Sequence, residues 1–355
     1  MSRFFSEKYA ALVPYVPGEQ PQDRKYIKLN TNESPFPPSP LAQIEAQKEL
    51  TRLQLYSDPV SAALRRELAS SYGLETDQVM AVNGSDEALD LAVMTFCDER
   101  HPAVFPDITY GFYKVAADVY GVPYEEIPLD EDFRIRPEDY FNSGKTVFIA
   151  NPNAPTGIAL PLKDVEAIIA SNRDTVVVVD EAYVDFGGES AISLIPEYEN
   201  LIVVQTFSKS RSMAGARLGF VTGNAELIRD LDTVRFSTNP YNVNRMTMAA
   251  GIGVLRDQEY TDKNIRTIVE NREFLTEELT SLGFELTDSR TNFVFARHPQ
   301  ISGEKIYLTL KERGVLVRHF TSERIREYNR ITVGSREELM ALLTELRSII
   351  REELR

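Results

Sequence analysis

Thr175-Val176-Val177-Val178-Val179-Asp180 decides the fold. Side chains on a strand point alternately to opposite faces, so an unbroken β-branched run has no face to offer water. Such a run belongs in a parallel sheet covered on both sides. Lys145-Thr146-Val147-Phe148-Ile149-Ala150 and Leu201-Ile202-Val203-Val204-Gln205-Thr206 read the same way, and Val79-Met80-Ala81-Val82 is a shorter strand. Between them, Asp86 to Phe96 carries apolar residues at helical spacing, and Pro161 to Ala170 is a helix with proline in its first turn. Strands joined by helices imply right-handed crossovers and therefore an α/β fold, a mostly parallel central sheet covered by helices.

The last third changes character. Tyr260 to Leu282 is a long helical pattern, followed by short strands at 284–286, 292–296, 315–317 and 330–333 and by helices at 303–312 and 336–353. These predict a smaller α+β C-terminal domain over residues 256–355 and a large domain over 36–255. Residues 1–35, rich in proline and tyrosine, are expected to form an arm that packs on the small domain or on a partner subunit.

With 39 Lys+Arg against 54 Asp+Glu, the net charge of −15 argues against nucleic acid or an anionic membrane as partner. An anionic ligand must then be captured by a few local cations, and Arg217, Arg318 and Arg330 are the candidates. A single cysteine, Cys97, leaves no internal disulfide and fits a reducing cytoplasm. Three scattered histidines offer neither a zinc site nor a nucleophile–histidine pair, so no metal is expected. The polar start lacks a signal-peptide core, and no apolar run is long enough to span a bilayer.

In open α/β sheets ligands bind beyond the carboxyl ends of the strands. Four polar segments follow the four strands. Asn83-Gly84-Ser85-Asp86 opens a helix after Val82, where free backbone N–H groups can receive a phosphate. Asn151-Pro152-Asn153-Ala154-Pro155-Thr156-Gly157 follows Ala150, Asp180-Glu181-Ala182-Tyr183 follows Val179, and Ser208-Lys209 follows Thr206. If the strands are parallel, all four converge on one edge.

That set matches the needs of pyridoxal 5'-phosphate. Lys209 would form a Schiff base with the cofactor aldehyde and later shuttle a proton. Asp180 would pair with the ring nitrogen and keep it protonated, so that the ring acts as an electron sink. Tyr183 and Asn153 would hydrogen-bond the ring oxygen, and Tyr110 could stack on the ring. The backbone at Ser85 and Asp86, the Ser208 hydroxyl and Arg217 would hold the phosphate.

At this point the chain resembles the fold-type I, class I/II aminotransferases, and within them the histidinol-phosphate aminotransferases. The resemblance rests on Pro14-Tyr15-Val16-Pro17-Gly18, Leu29 to Pro35, Tyr56-Ser57-Asp58-Pro59, Gly84 to Glu87, Thr109-Tyr110-Gly111, Asn151 to Gly157, Val179 to Tyr183, Ser208 to Gly219, Val317-Arg318 and Arg330 to Gly334, all in family order. It implies a homodimer in which Tyr56 reaches the cofactor phosphate of the other subunit. It also implies that Arg318, Arg330 and Tyr15, with Asn153, bind the substrates, an amino donor and a 2-oxo acid acceptor. The implied reaction converts L-histidinol phosphate and 2-oxoglutarate to imidazole acetol phosphate and L-glutamate, a step of histidine biosynthesis. Threonine-phosphate decarboxylation, transamination of aromatic amino acids and a non-enzymatic cofactor-binding module are the alternatives. Two stretches depart from the family pattern. Asp107-Ile108 stands where a proline is expected before Thr109-Tyr110, and Ser210-Arg211-Ser212-Met213 replaces a more apolar segment; neither is expected to touch the chemistry.

Overall fold

The computed structural model describes residues 2–354, so Met1 and Arg355, the outermost residues of the expected arm and small domain, lie outside the described residues. In chain order the first half contains β1 (Ile27–Lys28), α1 (Pro40–Lys48), α2 (Ala62–Tyr72), β2 (Val79–Val82), α3 (Gly84–Phe96), β3 (Ala103–Pro106), α4 (Phe112–Tyr120), β4 (Tyr124–Ile127), β5 (Thr146–Ala150) and α5 (Leu162–Ser171). Then come β6 (Val177–Asp180), β7 (Leu201–Thr206), β8 (Gly219–Gly223), α6 (Ala225–Thr238), α7 (Arg245–Arg256) and α8 (Gln258–Ser281). The chain closes with β9 (Glu285–Leu286), β10 (Phe293–Arg297), α9 (Gly303–Glu312), β11 (Val315–Leu316), β12 (Arg318–His319), β13 (Tyr328–Thr332) and α10 (Arg336–Glu353).

The seven-stranded sheet runs β2-β8-β7-β6-β5-β3-β4. Only β8 is antiparallel to its neighbours, pairing with β2 on one side and β7 on the other. The valine run occupies the middle of this sheet, and its alternation explains why both faces are closed. Val177 and Val179 pack with α2, α5 and α7, while Val178 packs with α3, α4 and α6. Burying a valine side chain contributes on the order of 1.5–3 kcal/mol, so a wet face on β6 would forfeit most of what the run supplies.

A four-stranded antiparallel sheet, β12-β13-β10-β9, packs with α8, α9 and α10 around Leu275, Val294, Ile331 and Leu342. The chain passes from α7 to α8 at Asp257, with no flexible linker between them. The residues expected as one strand at 315–317 serve two sheets. β11 pairs in parallel with β1, which ties the N-terminal segment down, and β12 turns to pair with β13. No helix among the described residues is long and apolar enough to cross a membrane.

Candidate active site

Because β2, β5, β6 and β7 point the same way, their carboxyl ends share one edge of the sheet. The segments that follow them line a cavity of about 710 Å³, closed on its far side by Tyr15 to Gly18 and by Arg318, Phe320 and Arg330. Ser85, Asp86, Tyr110, Asp180, Tyr183, Ser208, Lys209 and Arg217 all face it. A larger cavity of about 900 Å³ around Asp132, Arg134 and Asp164 gathers no lysine, so size alone does not single out the site.

At one end of the site α3 begins at Gly84 with φ +78°, and its N-cap Asn83 makes no side-chain cap hydrogen bond. The leading N–H groups of that helix are therefore available to an anion. A Cβ on Gly84 would fall 2.5 Å from Nη2 of Arg217, so the guanidinium lies against the bare backbone of the turn. Arg217 also donates to Asp86 Oδ2 at 2.8 Å, and the Tyr110 hydroxyl donates to Asp86 Oδ1 at 2.7 Å. The Thr206 hydroxyl reaches Ser208 Oγ at 3.0 Å. Backbone N–H groups, hydroxyls and a guanidinium are the kinds of donor a phosphate takes.

Asp180 ends β6 and is 4% exposed. Burial raises its carboxyl pKa to about 6, against hydrogen bonds from the Tyr113 hydroxyl at 2.9 Å and the Ala182 N–H at 3.2 Å. A buried carboxylate with no cationic partner among the described residues suits a cationic ring nitrogen, which would supply the missing charge. Lys209 Nζ donates to the Thr31 carbonyl at 3.2 Å and lies 5.8 Å from the centre of the Tyr183 ring. The Tyr183 hydroxyl accepts from Asn32 Nδ2 at 2.9 Å. The Tyr110 ring is met edge-on by Tyr15 at 6.1 Å and by Tyr113 at 5.8 Å.

Asn153 stands between Pro152 and Ala154, which line this cavity, and itself borders the larger one. Its amide donates to the Ile108 carbonyl at 2.9 Å and to Thr156 Oγ1 at 3.0 Å, and its oxygen accepts from Thr109 Oγ1 at 2.7 Å. These bonds tie the loop to the segment that precedes α4, and Ala154 lines the cavity beside it. Asp107 and Ile108 line the cavity rim, where Asp107 pairs with Arg324 at 2.9 Å. Arg211 lies half-buried two residues after Lys209, donating to Asp185 at 3.2 Å and to the Tyr72 hydroxyl at 2.5 Å. Ser210 donates to the same Asp185 carboxylate.

Opposite the phosphate corner, Arg318 and Arg330 are direct partners across β12 and β13. Arg330 donates to the Asn30 carbonyl at 3.2 Å, and Arg318 to the carbonyls of Val16 and Pro17 at 3.0 and 3.2 Å. Neither guanidinium pairs with a carboxylate among the described residues, and the buried Nε of Arg330 has no hydrogen-bond partner. Like charges directly opposed on a sheet repel, so the pair presents an unanswered positive field to whatever anion enters. Burial pushes the Arg330 pKa below its ordinary value, yet a guanidinium stays charged. Tyr56 does not line this cavity. It is 80% exposed and stacks on Tyr241 with ring centres 4.7 Å apart.

Tyr113 and Asn32 were not read as site residues. Tyr113 follows Tyr110 by three positions at the start of α4, a signal legible only once β3 is recognised before it. His319 stacks on Tyr307 outside the cavity, and burial pushes the Cys97 thiol up to about 12, which leaves it inert.

Residues 24–346 match the family described as Aminotransferase class I and II. A histidinol-phosphate aminotransferase of Marinomonas sp. (strain MWYL1) is 52% identical over 353 residues, covering 98% of this chain and all (100%) of that protein. Another, of Pseudomonas putida (strain W619), is 47% identical over 347 residues, covering 98% of this chain and 100% of that protein. Among solved structures, histidinol-phosphate aminotransferase from Sinorhizobium meliloti in complex with pyridoxal-5'-phosphate superposes with a TM-score of 0.90, covers 99% of each chain and shares 24% identity, a likeness of fold.

Proposed function

From the premise that this chain belongs to the class I and II aminotransferases, we propose that it carries the amino group of L-histidinol phosphate to 2-oxoglutarate, giving imidazole acetol phosphate and L-glutamate. It is a pyridoxal-phosphate-dependent transaminase acting on small molecules. The observation that carries the substrate reading is the pair Arg318–Arg330, two adjacent guanidiniums without carboxylate partners at the far end of a cavity whose near end is already a phosphate cradle.

When bound, pyridoxal phosphate supplies a cationic ring that accepts the electron pair released as the substrate Cα loses its proton. In this reading the amine of Lys209 anchors the cofactor and then moves the proton at the substrate Cα. Asp180 presents an anionic oxygen to the ring nitrogen, and Tyr183 donates to the ring oxygen. The N–H groups at Ser85 and Asp86, the Ser208 hydroxyl and Arg217 hold the phosphate, while Tyr110 covers the ring. Arg318 and Arg330, with Tyr15, grip the phosphate of the amino donor in one half-reaction and a carboxylate of glutamate in the other. A guanidinium suits both anions because its planar fork matches two oxygens at once.

We further propose a cytoplasmic homodimer in which Tyr56 of each subunit serves the other's cofactor phosphate. Leu53, Leu55, Tyr56 and Tyr241 form an exposed apolar patch, 46–80% accessible in the single chain, of the kind that marks association surfaces.

Purified protein loaded with pyridoxal phosphate and 2-oxoglutarate tests the reading. Glutamate should form with histidinol phosphate, and much more slowly with phenylalanine. Carbon dioxide released from threonine phosphate, with no glutamate from histidinol phosphate, would sink the proposal.

A further inference from the structure

The turn Asn30-Thr31-Asn32 touches three functional side chains with three consecutive residues. The Asn30 carbonyl accepts from Arg330 at 3.2 Å, the Thr31 carbonyl accepts from Lys209 at 3.2 Å, and Asn32 Nδ2 donates to the Tyr183 hydroxyl at 2.9 Å. The turn is itself pinned. Leu29 exchanges backbone hydrogen bonds with Leu316 and Thr332, and the Asn32 carbonyl accepts from Asn292 at 2.9 Å. Asn32 has φ +56°, a left-handed conformation that asparagine tolerates better than most residues.

The direction of the hydrogen bonds can be followed from one group that can only donate. The backbone N–H of Asn32 donates to Thr332 Oγ1 at 2.9 Å. The Thr332 hydroxyl passes its own proton to Asn32 Oδ1 at 3.2 Å. Turning the amide round would strand that hydroxyl proton in a place only 2% exposed, at a cost of roughly 1–3 kcal/mol. The oxygen of the amide is thus fixed on Thr332 and its NH₂ group on Tyr183. Tyr183 therefore receives a proton from the protein side, and no acceptor among the described residues takes the proton it carries.

We propose that Asn32 is a positioning residue that fixes Tyr183 as a hydrogen-bond donor into the cavity, for an anionic oxygen on a bound ligand. This rests on the reading that pyridoxal phosphate occupies the cavity. The replacement that reverses the polarity at least change of shape is Asn32→Asp. A carboxylate only accepts, so it would draw the Tyr183 proton away from the cavity.

The test is an absorbance pH titration of the protein loaded with pyridoxal phosphate. A donor to the ring oxygen favours the form with more negative charge there, so losing it should raise the spectral midpoint. Tyr183→Phe should raise the midpoint by about one pH unit, the scale of one hydrogen bond to a charged group. Asn32→Asp should shift it at least as far, since its added charge acts in the same direction. In the Tyr183→Phe background only that charge effect should survive, adding less than half the shift seen alone. The uncharged Asn32→Gly, which keeps the left-handed backbone, should raise the midpoint in the wild-type background and leave it unmoved in the Tyr183→Phe background. Should Asn32→Asp fail to fold, as judged by thermal melting of the cofactor-free protein, Asn32→Gly decides. Equal shifts in both backgrounds, or no shift in either, overturn the inference while the cofactor reading stands. No visible cofactor band from the unaltered protein would overturn both.

Discussion

The hydroxyl of Tyr113 donates a 2.9 Å hydrogen bond to the carboxylate of Asp180 at the buried end of β6. That bond comes from α4, which packs with α3 and α6 on one face of the sheet, and it opposes the burial that raises the Asp180 pKa to about 6. Tyr113→Phe keeps the ring and removes the donor. Hydrogen bonds to charged groups contribute about 1.5–3 kcal/mol, so the dissociation constant for pyridoxal phosphate near pH 7 should rise by roughly tenfold or more. Titration of the cofactor-free protein with pyridoxal phosphate measures it. An unchanged constant would remove Tyr113 from the account.

The phosphate corner makes a steric prediction. Gly84→Ala places a methyl group 2.5 Å from Arg217 Nη2 and asks alanine to adopt φ +78°. Binding of pyridoxal phosphate should weaken at least tenfold, while pyridoxal without its phosphate should weaken less. If both ligands lose affinity equally, the turn does not hold the phosphate.

Arg211 is a half-buried cation answered by Asp185 and Tyr72, and Gln205 links Tyr72 onward to Glu181. Asp185 keeps 29% of its side chain exposed, so its charge can be hydrated when Arg211 is removed, and the cost falls below that of a fully buried pair. Arg211→Met should lower the unfolding free energy by about 1–3 kcal/mol in denaturant titration. A loss below about 1 kcal/mol would show that the network does not brace the lysine loop.

The same network predicts a pH effect. Burial raises the Glu181 pKa from 4.5 to about 7, against hydrogen bonds from Ser190, Ala191 and Gln205. The folded state thus holds this proton more tightly than the unfolded state. The stability it lends is complete below the ordinary pKa and is lost as pH rises through about 7, by up to ~3 kcal/mol. Glu181→Gln removes the titration. The difference in stability between the variant and the unaltered cofactor-free protein should move in the variant's favour from pH 5 to pH 8; parallel curves would contradict it.

Much of this was legible from residue types alone. The valine run needed two covered faces, and the structure gives it two. Ser85, Asp180 and Lys209 follow strand ends, so their convergence required only that those strands share a direction. Elements with weak patterns escaped notice. β3 has four residues and ends in proline, β4 carries two exposed glutamates, and β8 begins and ends in glycine. The hydrogen bonds that hold Asn153 come from Ile108, Thr109 and Thr156, far away in sequence or invisible to spacing. The partners of Arg211 were not legible either, because Asp185 and Tyr72 stand on other elements.

The most direct test of the central claim is reductive trapping. Protein loaded with pyridoxal phosphate is treated with borohydride, digested and mapped by mass spectrometry. A single phosphopyridoxyl addition on Lys209, absent together with transamination in Lys209→Ala, is the predicted result. Labelling at another lysine such as Lys28, or turnover undiminished in Lys209→Ala, would contradict the account.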